Sequence, residues 1–216
     1  MRYLFSFIVI TELISLFFGI IFLIRDKSVF WRTLLLYLFL SVGTEILGKF
    51  CAKTYHTNLL VYNIYIFIEI SFISYGFYVF LNEYADIKKL IFSVYLAILI
   101  IYIGYFIFYG INSYNILTVS IISVVFVVYA LMYFYLLLKD ENYVDLKFHP
   151  AFWWIGGTLI FYFGGTLANF FDDIIRENSF GKYGTRLFIY NTLNVFLHGF
   201  WIYAFICRAR QRKVCQ

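Results

Sequence analysis

Seven apolar runs, each of about 20 residues and each closed by a charge or a turn residue, constrain this chain more than any other feature. They are Tyr3–Ile24, Phe30–Phe50, Leu59–Leu81, Leu90–Tyr109, Ile116–Leu138, Pro150–Phe171 and Leu187–Cys207. That is the length an α-helix needs to cross the hydrocarbon of a bilayer at about 1.5 Å per residue. Barrel strands are shorter and alternate apolar with polar, whereas these runs stay apolar at consecutive positions over two or more turns. The expected fold is all-α: a polytopic membrane protein whose seven transmembrane helices occupy residues 1–207, followed by a short basic cytoplasmic tail, 208–216.

Composition closes the other classes. Of 216 residues 63% are apolar and only 13% charged, against about a quarter charged in a soluble domain. Disorder needs low hydrophobicity and high charge, and a disulfide scaffold needs far more than three cysteines. Cys51 falls at one membrane edge and Cys207 and Cys215 at the other, so Cys51 has no partner within the chain. The first run is too long for a signal core, carries Glu12 in its middle and lacks a small-residue cleavage site, so it is expected to remain as a helix. Pro150, the single proline, stands where the sixth helix begins, a position at which its missing N–H costs nothing.

Positive loops resist translocation, so the basic residues orient the bundle. With the N-terminus outside, the cytoplasmic joints hold eleven: Arg25, Lys27, Arg32, Lys88, Lys89, Lys139, Lys147, Arg208, Arg210, Arg212 and Lys213. The other side holds six: Arg2, Lys49, Lys53, Arg176, Lys182 and Arg186. The expected topology is N-out and C-in, in a membrane of the bacterial inner (cytoplasmic) type. The net charge of +5 then reads as a topology signal rather than a nucleic-acid footprint.

The second and sixth runs align without a gap at an offset of 122, pairing Phe30 with Phe152, Trp31 with Trp153, Phe39 with Phe161, Gly43 with Gly165 and Thr44 with Thr166. At an offset of 128 the third and seventh runs pair Tyr62 with Tyr190, Asn63 with Asn191, Phe72 with Phe200 and Tyr75 with Tyr203. A duplicated three-helix unit separated by one extra span keeps both copies in the same orientation, so a parallel 3+1+3 repeat is expected.

Ionisable groups in hydrocarbon are expensive, and each one either finds a partner in the bundle or marks a functional path. Glu12, Glu45 and Glu69 stand within the runs, joined by Asn63, Asn169, Asn191, Asn194 and His198. All eight fall in the outer half of the bundle or near its midplane, which suggests a polar cavity open to the non-cytoplasmic side. Asn191, Asn194 and His198 share one helix face, whereas Asn63 and Glu69 lie about 120° apart. Lys49 stands four residues from Glu45 and is placed to pair with it. Glu12 and Glu69 have no local cation, so desolvation favours their neutral form unless a bound cation or His198 supplies opposite charge. Gly156, Gly157, Gly164, Gly165 and Ala168 form a small-residue stripe suited to close helix approach.

Several chemistries are excluded. A retinal pigment needs a lysine in the last helix, and Leu187–Cys207 has none. His56, His149 and His198 stand at different depths and cannot form a three-histidine metal site. Neither a phosphate-binding glycine loop nor a nucleic-acid module is present. No cofactor and no metal are expected.

In Phe152–Trp153 after His149–Pro150, with Tyr62–Asn63 and Glu69 in the third run, the chain resembles small uncharacterised bacterial seven-helix membrane proteins. It is similar also to the seven-helix input modules of membrane histidine kinases. The resemblance implies ligand or membrane sensing. The chain ends just after the seventh run, without a kinase domain, so any output would pass to a protein partner on the cytoplasmic face. The resulting expectation is receptor-like or accessory sensing of a small or lipidic ligand. The alternative is a transporter or channel for a small solute or proton, and a lipid-modifying intramembrane enzyme ranks below both.

Overall fold

The computed structural model describes residues 7–141, 145–171 and 185–214. Among them there are seven α-helices and no strand: α1 Phe7–Leu23, α2 Val29–Tyr55, α3 Leu59–Leu81, α4 Lys88–Tyr109, α5 Ile116–Lys139, α6 Pro150–Phe170 and α7 Thr185–Val214. A short 3₁₀ turn, Leu146–Phe148, leads into α6. Helices α2 to α6 are long and apolar enough to cross a membrane, and α1 is a shorter apolar helix of 17 residues. The chain is thus a helical bundle of multi-pass membrane character.

Local chemistry sets the helix ends. The Asn115 side chain accepts the Thr118 N–H at 3.1 Å and caps α5. His149 caps α6 through Nδ1, which accepts the Phe152 N–H at 3.2 Å, with Pro150 in the first turn. Helix α4 stops at Gly110, whose φ of 75° an L side chain would resist.

The last helix differs from expectation. Instead of ending at Cys207 with a separate tail, α7 continues through Val214. The extension is held by Asp26, in the α1–α2 joint. Its carboxylate receives Arg208 Nε at 2.9 Å and Nη2 at 3.1 Å, with Arg212 Nε at 3.4 Å. Arg212 also donates to the Phe22 carbonyl at the end of α1. Cationic residues in a last turn suit the helix dipole as well.

Packing closes a ring in the order α1, α2, α3, α5, α6, α7 and back to α1, with α4 laid outside across α3 and α5. Only Ile91 and Ile98 of α4 are buried. Successive helices run antiparallel, so one end of the bundle gathers the α1–α2, α3–α4 and α5–α6 joints and the close of α7. The small-residue stripe works as close-approach surface between α6 and α7. A Cβ at Gly157 would stand 2.7 Å from Phe200 Cβ, and one at Gly164 would stand 2.5 Å from Leu193 Cδ2. Where lipid surrounds the helices, such contact replaces hydrophobic drive as the source of cohesion.

Burial tests the internal pairing. At the offset of 128, Ile70, Ile73, Gly76 and Phe77 of α3 are buried, and so are their α7 counterparts His198, Trp201, Ala204 and Phe205. At the offset of 122 the two faces disagree: Phe30, Trp31, Leu34 and Ser41 are buried, whereas Phe152, Trp153, Gly156 and Phe163 are not. Other α3–α7 pairs differ, with Asn63, Ile66, Phe72 and Ser74 buried and Asn191, Asn194, Phe200 and Ile202 only partly so.

Candidate functional site

A cavity of about 450 Å³ lies inside the ring, in the half of the bundle opposite the Asp26 joint. It extends from Tyr62, Tyr114, Asn169 and Tyr190 near the bundle end to Ile73 and Trp201 near mid-depth. Along α3 the walls run from Tyr62 to Ile73, about 16 Å of helix.

Six of the eight polar residues singled out in the sequence line it: Glu12, Glu45, Glu69, Asn169, Asn194 and His198. Glu12 reaches across to α2, where Ser41 Oγ donates to its Oε1 at 2.7 Å. Ser41 in turn accepts from the Tyr65 hydroxyl at 3.1 Å, and Tyr65 shares a hydrogen bond of 2.9 Å with Tyr37. Glu69 accepts the Tyr162 hydroxyl at 2.6 Å, which ties α3 to α6 across the ring. Glu45 faces Lys49 at 3.9 Å and accepts from Tyr62 at 3.3 Å. Asn169 accepts from Tyr190 at 2.9 Å, while the Asn194 amide donates to the Tyr190 carbonyl at 2.9 Å. Glu12 Oε2 and His198 Nδ1 are buried without a hydrogen-bond partner among the described residues.

Asn63 and Asn191 stand outside this wall. Asn191 is half-buried and does not line the cavity. Asn63, fully buried, turns to the α4–α5 joint instead. Its amide donates to the Ile111 and Ser113 carbonyls at 3.0 and 2.9 Å, and its Oδ1 accepts the Asn115 N–H at 3.3 Å. The 120° between Asn63 and Glu69 thus sends one to the joint and the other to the cavity.

Hydroxyl groups that composition does not single out complete the wall. Tyr37, Ser41, Tyr65 and Tyr162 carry its hydrogen-bond network, yet tyrosine counts as apolar and the chain has 21 of them. The usable signal was spacing: Tyr65 precedes Glu69 by four, Tyr37 and Ser41 precede Glu45 by eight and four, and Trp201 follows His198 by three.

Below the cavity the interior turns aromatic. Trp201 stacks on Trp154 with ring centroids 5.8 Å apart, and its Nε1 donates to the Trp154 carbonyl at 3.2 Å. Phe30 meets Trp154 edge-on at 5.3 Å, and Phe77 meets it at 5.8 Å. These fully buried rings fill the bundle between the cavity floor and the Asp26 joint.

Among the described residues no group of three or more histidine, cysteine or acidic side chains is arranged to hold a metal ion. Fold and site together define a class: a helical bundle of multi-pass membrane character with a half-depth polar cavity over an aromatic floor. Comparison with family models, with characterised proteins and with solved structures finds no match.

Proposed function

We propose that this protein is a seven-span membrane protein that senses a small or lipidic ligand in the cavity, in a receptor-like or accessory role. The observation that carries the reading is the one-sided interior: carboxylates and hydroxyls in one half, packed aromatic rings in the other. A carrier needs access from both sides, and the Trp154–Trp201 stack occupies the second route. The positive-inside rule places the Asp26 joint and the basic end of α7 in the cytoplasm of a bacterial inner membrane, with the cavity toward the outer face. That same basic end is the surface offered to a cytoplasmic protein partner. Four buried pairs shared by α3 and α7, with α4 outside the ring, favour the 3+1+3 plan; an α2–α6 register of 124, which pairs buried Phe30, Trp31, Leu34 and Ser41 with buried Trp154, Ile155, Thr158 and Gly165, suits it better than 122.

The test is purification from native membrane followed by mass spectrometry of whatever is bound, with solute flux measured in proteoliposomes. A bound small molecule or lipid without flux is the expected result. Flux of the bound solute would transfer the assignment to transport.

A further inference from the structure

Resting on the cavity reading above, the deeper question is which ligand chemistry the wall selects. The cavity is lined by three carboxylates and, among the described residues, by no lysine or arginine. Lys49, outside the lining, stands 3.9 Å from Glu45. Among the described residues Glu12 and Glu69 receive hydroxyl groups alone, at 2.7 and 2.6 Å. Both distances are ordinary for O–H···O hydrogen bonds. No lysine or arginine among the described residues lines the wall beside these two carboxyls, so ionising them there is costly, and a positive ligand would supply the missing counter-charge.

A second, independent observation points the same way. Glu12 and His198 are at least nine-tenths buried, with relative exposures of 5% and 4%, yet Glu12 Oε2 and His198 Nδ1 have no partner among the described residues. Both can accept an N–H, and native interiors rarely leave such atoms unpaired. The rest of the wall suits an organic ion better than a bare metal cation. It presents the rings of Tyr37, Tyr65, Phe161, Tyr162 and Trp201, whose faces attract ammonium groups, and about 450 Å³ is the size of a small-molecule site.

We infer that the ligand is an organic ammonium ion, its positive charge met by the carboxylates of the wall and its carbon skeleton by the surrounding rings. The test uses the full chain in lipid nanodiscs with probes that share one skeleton and differ in charge: 2-phenylethylamine, 2-phenylethanol and 3-phenylpropionate, with an alkyl diamine and a tetraalkylammonium salt beside them. Binding is read by thermal stabilisation and by calorimetry. At least one cationic probe is expected to bind saturably, with the alcohol and the acid inactive. Glu69→Gln and Glu12→Gln are each expected to weaken that probe about tenfold or more, while Glu69→Asp, which keeps the charge, retains the preference. Monodisperse elution and unchanged helical circular dichroism guard against misfolding of the variants.

Equal binding of the alcohol or the acid would overturn the ammonium assignment while leaving a ligand cavity in place. Failure of every cationic probe would overturn it as well. The cavity reading itself falls separately, if Gly165→Trp, which fills the space, leaves the set of molecules that copurify from native membrane unchanged.

Discussion

Asp26 and Arg208, separated by 182 residues, form a bidentate pair that fastens the end of α1 to the last turns of α7. The Asp26 side chain is fully buried and Arg208 is 27% exposed. Removing one partner of a fully buried pair costs roughly 3–5 kcal/mol, and the partial exposure of Arg208 brings the expected cost of Asp26→Ala to about 2–3 kcal/mol. Burial alone would raise the Asp26 carboxyl, but hydrogen bonds from Arg208 and the Ser28 N–H, with the charges of Arg208 and Arg212, outweigh it and hold the group below its ordinary 3.8. Its contribution is therefore present above that value and is lost as the pH falls through the lower, folded one. Thermal unfolding in detergent from pH 7 to pH 3 should show wild type losing stability at the acid end and Asp26→Ala losing less of it.

Gly157 and Gly165, two turns apart on α6, should respond differently to alanine. At Gly157 the new Cβ would meet Phe200 Cβ at 2.7 Å and the Leu197 carbonyl at 3.2 Å, atoms fixed by the backbone of α7. Separating the helices should cost about 1–3 kcal/mol. At Gly165 the nearest atom is 3.8 Å away, an ordinary contact, so stability should stay within about 0.5 kcal/mol. Unfolding midpoints of the two variants, measured side by side, check the difference.

Asn63 shows why a buried polar residue need not belong to a ligand site. Leucine there would strip donors from the Ile111 and Ser113 carbonyls and the acceptor from the Asn115 N–H, at an expected cost of about 2–4 kcal/mol. Asn63→Asp should be about as damaging, because a carboxylate has no donor to give the two carbonyls. Both variants should keep ligand preference in whatever fraction folds, which binding measured on the folded fraction will decide.

The helix centres were legible because apolar runs delimited by charge leave little freedom in a bilayer, and α3 begins and ends where its run does. Helix ends were less legible. Helix α2 passes Phe50 and continues to Tyr55, where His56 adopts a left-handed conformation. The extension of α7 to Val214 depends on Asp26, which no local pattern connects to Arg208. The carboxylates stood out because acids are rare in apolar runs. The hydroxyl wall did not, because Tyr65 meets Ser41 and Tyr37 only once α3 packs against α2, and Tyr162 meets Glu69 only once α6 faces α3 across the ring.

His149 offers a second pH-sensitive site, outside the helices. Its Nδ1 accepts from the Phe152 N–H, so the ring proton resides on Nε2, and the Tyr133 hydroxyl stands 3.3 Å from Nδ1. Burial holds this imidazole below its ordinary 6.5. The unfolded chain therefore binds the proton more readily, and the cap's contribution is complete above 6.5 and declines as the pH falls below it. His149→Ala should cost about 1 kcal/mol at pH 7.5 and flatten the stability profile between pH 6.5 and pH 5. Chemical denaturation at each pH measures both effects.

The one-sided cavity is the central claim, and cysteine accessibility tests it most directly. In a cysteine-free background, Thr44→Cys and Asn194→Cys place thiols on the cavity wall, and Lys89→Cys places one at the opposite end of the bundle. Intact cells are treated with a membrane-impermeant maleimide, with and without permeabilisation of the inner membrane. Labelling of the two cavity positions from outside, with Lys89→Cys reacting only after permeabilisation, is the expected result. Cavity thiols that react only from the cytoplasmic side would contradict the proposed placement, and cavity thiols that react from both sides would contradict a closed floor.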